Sequence, residues 1–266
     1  MKFAANLSML FTELALLERF EAAKSAGFNA VEIQFPYVES IADIKAKLQE
    51  HDLECILINV PAGDLMEGGE GLASVPGKEA EFAAALVECL SYVTALKVKR
   101  VNVLPGRCMD ESKRSEYLET FKRNLNTAAG MFKSLGVTVT FEAINTFDMP
   151  GFLIHNVEQM LDVIEESECD NIKMQFDVYH MARMEGENVN KLISCFSDQI
   201  GHIQFADVPG RGEPGSGNLD FKSIFETIED SDYDGWLGVE YKPTKPTKST
   251  LEWMQELQSV DAMLVV

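Results

Sequence analysis

Gly238-Val239-Glu240-Tyr241, read together with Thr140-Phe141-Glu142, Gln175-Phe176-Asp177 and His202-Ile203-Gln204 upstream, decides how this chain folds. Each stretch is an apolar run that carries one oxygen-bearing side chain at its end. Successive side chains of a strand point to opposite faces, so counting in twos sorts them. Thr138, Thr140 and Glu142 fall on one face, as do Lys173, Gln175 and Asp177, then His202 and Gln204, then Gly238 and Glu240. Val137, Val139, Phe141, Ile172, Met174, Phe176, Ile203, Phe205, Leu237 and Val239 take the other. The apolar face requires a covering layer of helices, and the polar face requires a partner. Carboxylates held close together and away from water cannot all stay ionised without a cation between them. Four strand ends that converge on a divalent cation satisfy both demands.

Working outward, the same strand-then-helix unit recurs along the chain. Phe3 to Leu7, Ala30 to Phe35, Cys55 to Val60, Arg100 to Leu104, Val137 to Glu142, Ile172 to Asp177, His202 to Ala206 and Trp236 to Tyr241 read as strands. Between them lie helical patterns: Leu14 to Ala26 stopped by Gly27, Ile41 to Leu48 behind Ser40, Phe82 to Leu96, and Tyr117 to Leu135 ended by Gly136. Val157 to Ile164 follows the cap candidate Asn156, Leu192 to Phe196 precedes the seventh strand, Phe221 to Ile228 the eighth, and Leu251 to Leu257 forms a last helix. Gly63 to Gly77, with Gly68, Gly69, Gly71 and Pro76, reads as a long irregular loop. Strand ends near 6, 34, 59, 104, 142, 177, 204 and 240 are roughly 25 to 45 residues apart, enough for one crossover helix each. The expected architecture is α/β, a single (β/α)8 TIM barrel over residues 1–266, with its site at the carboxyl ends of the strands. An open doubly wound sheet is the alternative, because eight parallel strands alone do not demand closure.

The composition narrows the function. The 266 residues hold 23 Lys plus Arg against 43 Asp plus Glu, a net charge of −20. Such a surface repels phosphate backbones and anionic membranes, which argues against nucleic acid and membrane partners. Five dispersed cysteines without a Cys-x-x-Cys pair indicate reduced thiols and a cytoplasmic setting rather than a disulfide or zinc framework. Asn6, Ser8 and Glu13 interrupt the start before a signal-peptide core could form, and no run of eighteen apolar residues occurs. Self-association stays open.

Glu142, Asp177, Gln204 and Glu240 offer only oxygen donors, which favours Mg²⁺, or Mn²⁺ as the alternative, over Zn²⁺. With only four histidines in the chain, a multi-zinc site is poorly supplied. Any one of these acids alone could be a helix cap or a surface charge; their recurrence at successive strand ends points to a site. Gly210, Gly212 and Gly215 match the G-x-G-x-x-G spacing, but Pro214 interrupts them and no helix pattern begins before Phe221, so they do not read as a dinucleotide site. A flexible loop presenting Arg211 to a substrate carboxylate is the better reading, against a merely solvated arginine. His180, three residues past Asp177, is placed to polarise a substrate oxygen or to cap the next helix, and the first is preferred. His202, deeper on the inner face, reads as a core histidine with a satisfied hydrogen bond.

Asn6-Leu7-Ser8-Met9-Leu10-Phe11, Phe141-Glu142-Ala143-Ile144-Asn145, Gln175-Phe176-Asp177-Val178-Tyr179-His180, and His202-Ile203-Gln204 through Pro209-Gly210-Arg211 to Pro214-Gly215 resemble the hydroxypyruvate isomerase and 2-oxo-tetronate isomerase family. That family sits among the xylose isomerase-like TIM barrels, with the ketose 3-epimerases. The resemblance implies that Glu142, Asp177, Gln204 and Glu240 bind the metal, that Glu142 and Glu240 double as acid and base, and that His180 and Arg211 contact substrate. It implies isomerisation of a small hydroxy-oxo acid by proton transfer through an enediolate. A ketose 3-epimerase, or a barrel that binds a small acid without catalysis, are the competing readings. Ser216-Gly217-Asn218 departs from the Thr-Gly-Glu expected there and lacks its carboxylate.

Overall fold

β-Branched and aromatic residues recur in most of the strand segments, and the segments ending near residues 59, 102, 142 and 205 hand over to loops that carry glycine, asparagine or aspartate. The computed structural model describes residues 1–254 and Leu257. Its strands are β1 (Lys2–Asn6), β2 (Ala30–Ile33), β3 (Glu54–Asn59), β4 (Arg100–Asn102), β5 (Thr138–Glu142), β6 (Ile172–Asp177), β7 (Ile200–Phe205) and β8 (Trp236–Val239). Neighbours pair in parallel and in chain order, and β8 returns to β1 with Ala4 opposite Gly238, so the sheet closes into a barrel. Closure rules out the open sheet and leaves no unpaired edge.

The helices are α1 (Arg19–Ser25), α2 (Ile41–Glu50), α3 (Glu79–Leu96), α4 (Arg114–Lys133), α5 (Val157–Glu165), α6 (Val178–Glu185), α7 (Val189–Phe196) and α8 (Phe221–Glu229). Ser40 and Asn156 cap α2 and α5 as expected, accepting from the backbone N–H of Asp43 and Gln159. Two readings need correction. The first helix starts at Arg19 behind a short 3₁₀ turn at Leu16–Glu18, not at Leu14. The crossover from β6 to β7 holds two helices rather than one. Asp177 ends β6 and caps α6 at once, its carboxylate accepting from Tyr179 N–H at 2.8 Å, so no turn residue marks the boundary.

The glycine-rich segment after β3 is irregular apart from a 3₁₀ turn at Leu65–Glu67, yet Leu65, Leu72, Ala73 and Val75 within it are buried. Its polar composition concealed these anchors. The expected last helix lies partly outside the described residues; within them, 252–254 are helical, and Trp253 packs edge-on against Phe3 and Phe205. Among the described residues no helix is long and apolar enough to cross a membrane.

The main core lies between the outer face of the barrel and the helices. Val139, Phe141, Met174, Phe176, Ile203, Phe205, Leu237 and Val239 all point there and are buried. Phe205 alone meets Phe3, Phe221, Phe225 and Trp253 in edge-to-face contacts. Each such buried side chain stabilises the fold by roughly 1.5–3 kcal/mol. With the apolar residues outside, the polar set of the same strands faces the barrel interior.

Candidate active site

Glu142 and Asp177 close β5 and β6, Gln204 lies near the end of β7, and Glu240 follows β8; all four are buried. Their surroundings distribute hydrogen bonds unevenly. Glu142 Oε2 accepts from Asn102 Nδ2 at 3.3 Å and Gln175 Nε2 at 3.2 Å. Glu240 accepts from Asn6 Nδ2 at 3.0 Å, Gln34 Nε2 at 3.1 Å and Arg211 Nη2 at 2.5 Å. The same Arg211 nitrogen donates to Asp177 Oδ2 at 3.3 Å, and the guanidinium stacks 5.1 Å from the Tyr179 ring.

His180 stands in the first turn of α6, its Nε2 3.7 Å from Glu142 Oε1 and 3.6 Å from Asp177 Oδ2. Glu142, Asp177 and His180 thus form a buried triad whose ligand atoms lie within 4.8 Å of one another. Asn145 directs its side-chain N–H at His180 Nδ1 from 2.7 Å and its backbone N–H from 3.4 Å. With Nδ1 accepting, the neutral ring carries its proton on Nε2, the atom that faces the acids. In that tautomer His180 turns a donor N–H toward the acids, and the residue lines the cavity above them.

Burial pushes the Glu142 carboxyl up to about 8, with the neighbouring Asp177 adding to the rise. Burial likewise raises Asp177 and carries Glu240 well above its ordinary value, although Arg211 opposes both shifts. His180 is driven well below its ordinary value by burial and by Arg211 and Arg183. For Arg211, burial disfavours the charge, but Glu240, Asp177 and Glu142 more than offset it and raise its value. Three buried acids with one guanidinium among them form a site short of positive charge, and an all-oxygen donor set of this kind suits a divalent cation. Glu142 and Asp177, with His180 beside them, are close enough together to share one ion.

Gln204 lies beneath them. Its Nε2 donates to Glu32 Oε1 at 2.7 Å, and its Oε1 accepts from Gln175 Nε2 at 2.6 Å. His202 is the buried core histidine expected, with Nε2 2.6 Å from Glu32 Oε2. The loop carrying Arg211, read as flexible, is instead tied down. Three backbone N–H groups, of Gly215, Gly217 and Leu219, converge on the Asp207 carboxylate, and Lys242 N–H donates to the Arg211 carbonyl at 2.7 Å. No helix begins in the glycine-rich stretch, so no dinucleotide site forms there.

Above the acids is a partly open cavity of about 70 Å³. Gln34, Asn59, Asp148, His180 and Arg211 line it on the polar side with Glu142 and Glu240, and Phe35, Met66, Leu104, Ile144 and Met149 on the apolar side. Glu32, Asn6, Gln34, Asn102 and Asp207 escaped the sequence reading. Glu32 and Gln34 alternate with Val31 and Ile33, so counting in twos along the second strand would have found them.

Comparison with known proteins agrees with this geometry. Residues 20–257 match the family described as xylose isomerase-like TIM barrel. Hydroxypyruvate isomerase of Escherichia coli (strain K12) is 43% identical over 254 residues, covering 96% of this chain and 98% of that protein. The 2-oxo-tetronate isomerase of Cupriavidus necator is 39% identical over 254 residues, covering 96% and 97%. A Brucella melitensis crystal structure described as AP endonuclease, family 2, superposes with a TM-score of 0.92 at 36% identity, covering 96% and 98%. The eight-stranded closed barrel, the acids at its strand ends and this full-length similarity have one joint consequence: the chain belongs to the xylose isomerase-like TIM barrels, in the family of the hydroxypyruvate and 2-oxo-tetronate isomerases, and with them is an isomerase.

Proposed function

We propose that the chain isomerises a short hydroxy-oxo acid, hydroxypyruvate to 2-hydroxy-3-oxopropanoate or a 2-oxo-tetronate, by proton transfer between adjacent carbons through an enediolate. The observation that carries this reading is the pair of buried glutamates, Glu142 from β5 and Glu240 from the far end of β8, facing one small cavity with Arg211 between strand ends. For hydroxypyruvate, one glutamate takes the C3 proton and the electron pair moves to the C2 oxygen. The other glutamate returns a proton at C2 while the O3 proton passes to O2. Positioned groups of this kind contribute on the order of 10²–10⁴-fold in rate. Glu142, Asp177 and Glu240 would hold Mg²⁺, with Mn²⁺ as the alternative, while Gln204, expected to join them, has its oxygen engaged by Gln175; such a cation would supply the positive charge that offsets charge developing on the substrate oxygens. His180 donates its Nε2–H to a substrate oxygen, and Arg211 pairs with the substrate carboxylate.

Arg211 in the lining of the cavity favours an acid over a neutral ketose, and the net charge of −20 disfavours a nucleic acid substrate. A turnover screen with hydroxypyruvate, a 2-oxo-tetronate and a ketose, each with Mg²⁺ or Mn²⁺ in D₂O, tests the proposal. The expected result is isomerised acid carrying solvent deuterium on carbon. Ketose turnover without acid turnover would favour 3-epimerisation, product without solvent deuterium a hydride shift, and silence on all three a binding barrel without catalysis.

A further inference from the structure

We propose that Glu32 is a positioning residue, the hub of a buried hydrogen-bonded arc that holds Glu142 and Glu240 in fixed relation. This rests on the reading of those two glutamates as the acid and base. Glu32 comes from β2, on the far side of the barrel from Glu142, and is fully buried in its interior. A buried carboxylate is costly unless its oxygens are satisfied. Here Oε1 accepts from Asn6 Nδ2 at 2.8 Å and Gln204 Nε2 at 2.7 Å, and Oε2 pairs with His202 Nε2 at 2.6 Å.

Each partner passes the link on. Asn6 Nδ2 also donates to Glu240 Oε2 at 3.0 Å, while Asn6 Oδ1 accepts from Ser8 N–H at 3.0 Å and stops the amide from turning. Gln204 Oε1 accepts from Gln175 Nε2, which also donates to Glu142 Oε2 at 3.2 Å, and Gln175 Oε1 accepts from the Thr140 hydroxyl at 3.1 Å. The arc runs Glu240, Asn6, Glu32, Gln204, Gln175, Glu142 without a break. Its polarity is set at Glu32: oxygens that accept there oblige Asn6 and Gln204 to turn their N–H ends inward, which leaves the Gln204 oxygen outward. The barrel makes space for the hub, since a Cβ on Gly238 would lie 2.5 Å from Glu32 Oε1.

The competing explanation is that Glu32 serves only as the buried companion of His202. Glu32→Leu/His202→Leu separates the two, because it removes the oxygen on which the Asn6 and Gln204 N–H groups converge and leaves no histidine in need of a companion. We expect kcat to fall about 10- to 100-fold, the usual effect of disturbing such outer contacts, with KM changed much less. Glu32→Leu/His202→Leu replaces the pair by apolar side chains, an exchange that is often neutral for stability. It should still fold, melting lower because the Gln204 N–H loses its acceptor, and show the kcat loss; wild-type turnover in that folded variant would overturn the proposal. Should that variant not fold, Asn6→Ala cuts only the Asn6 links, and an unchanged kcat there overturns the proposal equally. If wild-type protein turns over no hydroxy-oxo acid, the functional reading fails by itself. The arc is then judged by the side-chain amide NMR resonances of Gln175, at its far end. They should move in Glu32→Leu/His202→Leu, and resonances that stay in place would refute the hub.

Discussion

Phe141, Phe176, Phe205 and Val239 on the outer side of the barrel are as deeply buried as Glu142, Asp177, Gln204 and Glu240 on the inner side; none of the eight is more than 5% exposed. Equal burial has opposite consequences on the two sides. Outside, it removes apolar surface from water and stabilises the fold at about 25 cal/mol per Å². Inside, it raises the carboxyl groups of Glu142, Asp177 and Glu240 above their ordinary range, which is a cost to the folded state. The outer side holds the barrel together, and the inner side draws on that stability to keep acids concentrated beside a substrate.

The largest expected break in this contrast comes from the inner side. Glu142→Gln and Glu240→Gln should each lower turnover by about 10²–10⁴-fold, the contribution of one positioned acid or base. The cation-free variants should melt no lower than wild type, because one of three crowded acids has become neutral. Circular dichroism melts beside steady-state rates measure both; a variant that unfolds as it loses activity would show that the inner acids also hold the fold. Phe205→Ala is the mirror experiment. Losing a buried phenylalanine costs roughly 3–5 kcal/mol, visible in urea unfolding, while turnover per folded molecule stays at the wild-type value.

A pH titration sharpens the comparison at smaller amplitude. Glu142, ordinarily near 4.5, is raised to about 8, so between these values the folded chain holds a proton that the unfolded chain has released. Stability from that group is complete below the unfolded value and is lost as pH climbs through the folded one. Asp177 and Glu240 shift in the same direction. His180 acts oppositely: its lowered value means that below about 6.5 the unfolded chain gains a proton the buried ring refuses, so stability falls as pH falls there. Cation-free protein should therefore melt lower at pH 8 than at pH 6.5. Saturating Mg²⁺ or Mn²⁺ should raise the melting temperature at pH 8 and flatten the curve. A flat cation-free curve over that interval would contradict the charge shortage assigned to the site.

The outer side was the more legible of the two in the sequence. Alternation in Val139, Phe141, Met174, Phe176 and their counterparts gives the strands, and their repetition with crossover helices gives the barrel. The ends that carry acids were legible for the same reason. What escaped were residues with two roles or with partners distant in the chain. Asp177 is both strand end and helix cap, which hid α6. Glu32 meets Asn6 from β1 and His202 and Gln204 from β7, and no local pattern records such a meeting. Asp207 organises the Arg211 loop through backbone N–H groups up to 12 positions away, which composition reads only as a glycine-rich, mobile stretch.

The smallest expected effect tests whether surroundings, rather than distance, separate the two sides. Lys122 on α4 and Glu166 just past α5 form an outer ion pair at 2.6 Å, nearly as short as the 2.5 Å contact between Arg211 and Glu240 inside. Glu166 is 56% exposed, whereas Glu240 is 4% exposed. Water screens the outer pair, and Lys122 has a second acid in Glu119 at 3.2 Å to fall back on. An exposed pair of this kind contributes about 0.2–1 kcal/mol, and at 1 M salt a screening length of roughly 3 Å removes most of that. Glu166→Gln should therefore lower stability by less than about 1 kcal/mol in urea unfolding at low salt and by almost nothing at 1 M NaCl. A larger loss, or one that salt leaves untouched, would mean that the helix layer holds its charges as tightly as the barrel interior does, and the contrast between the two sides would then rest on chemistry alone.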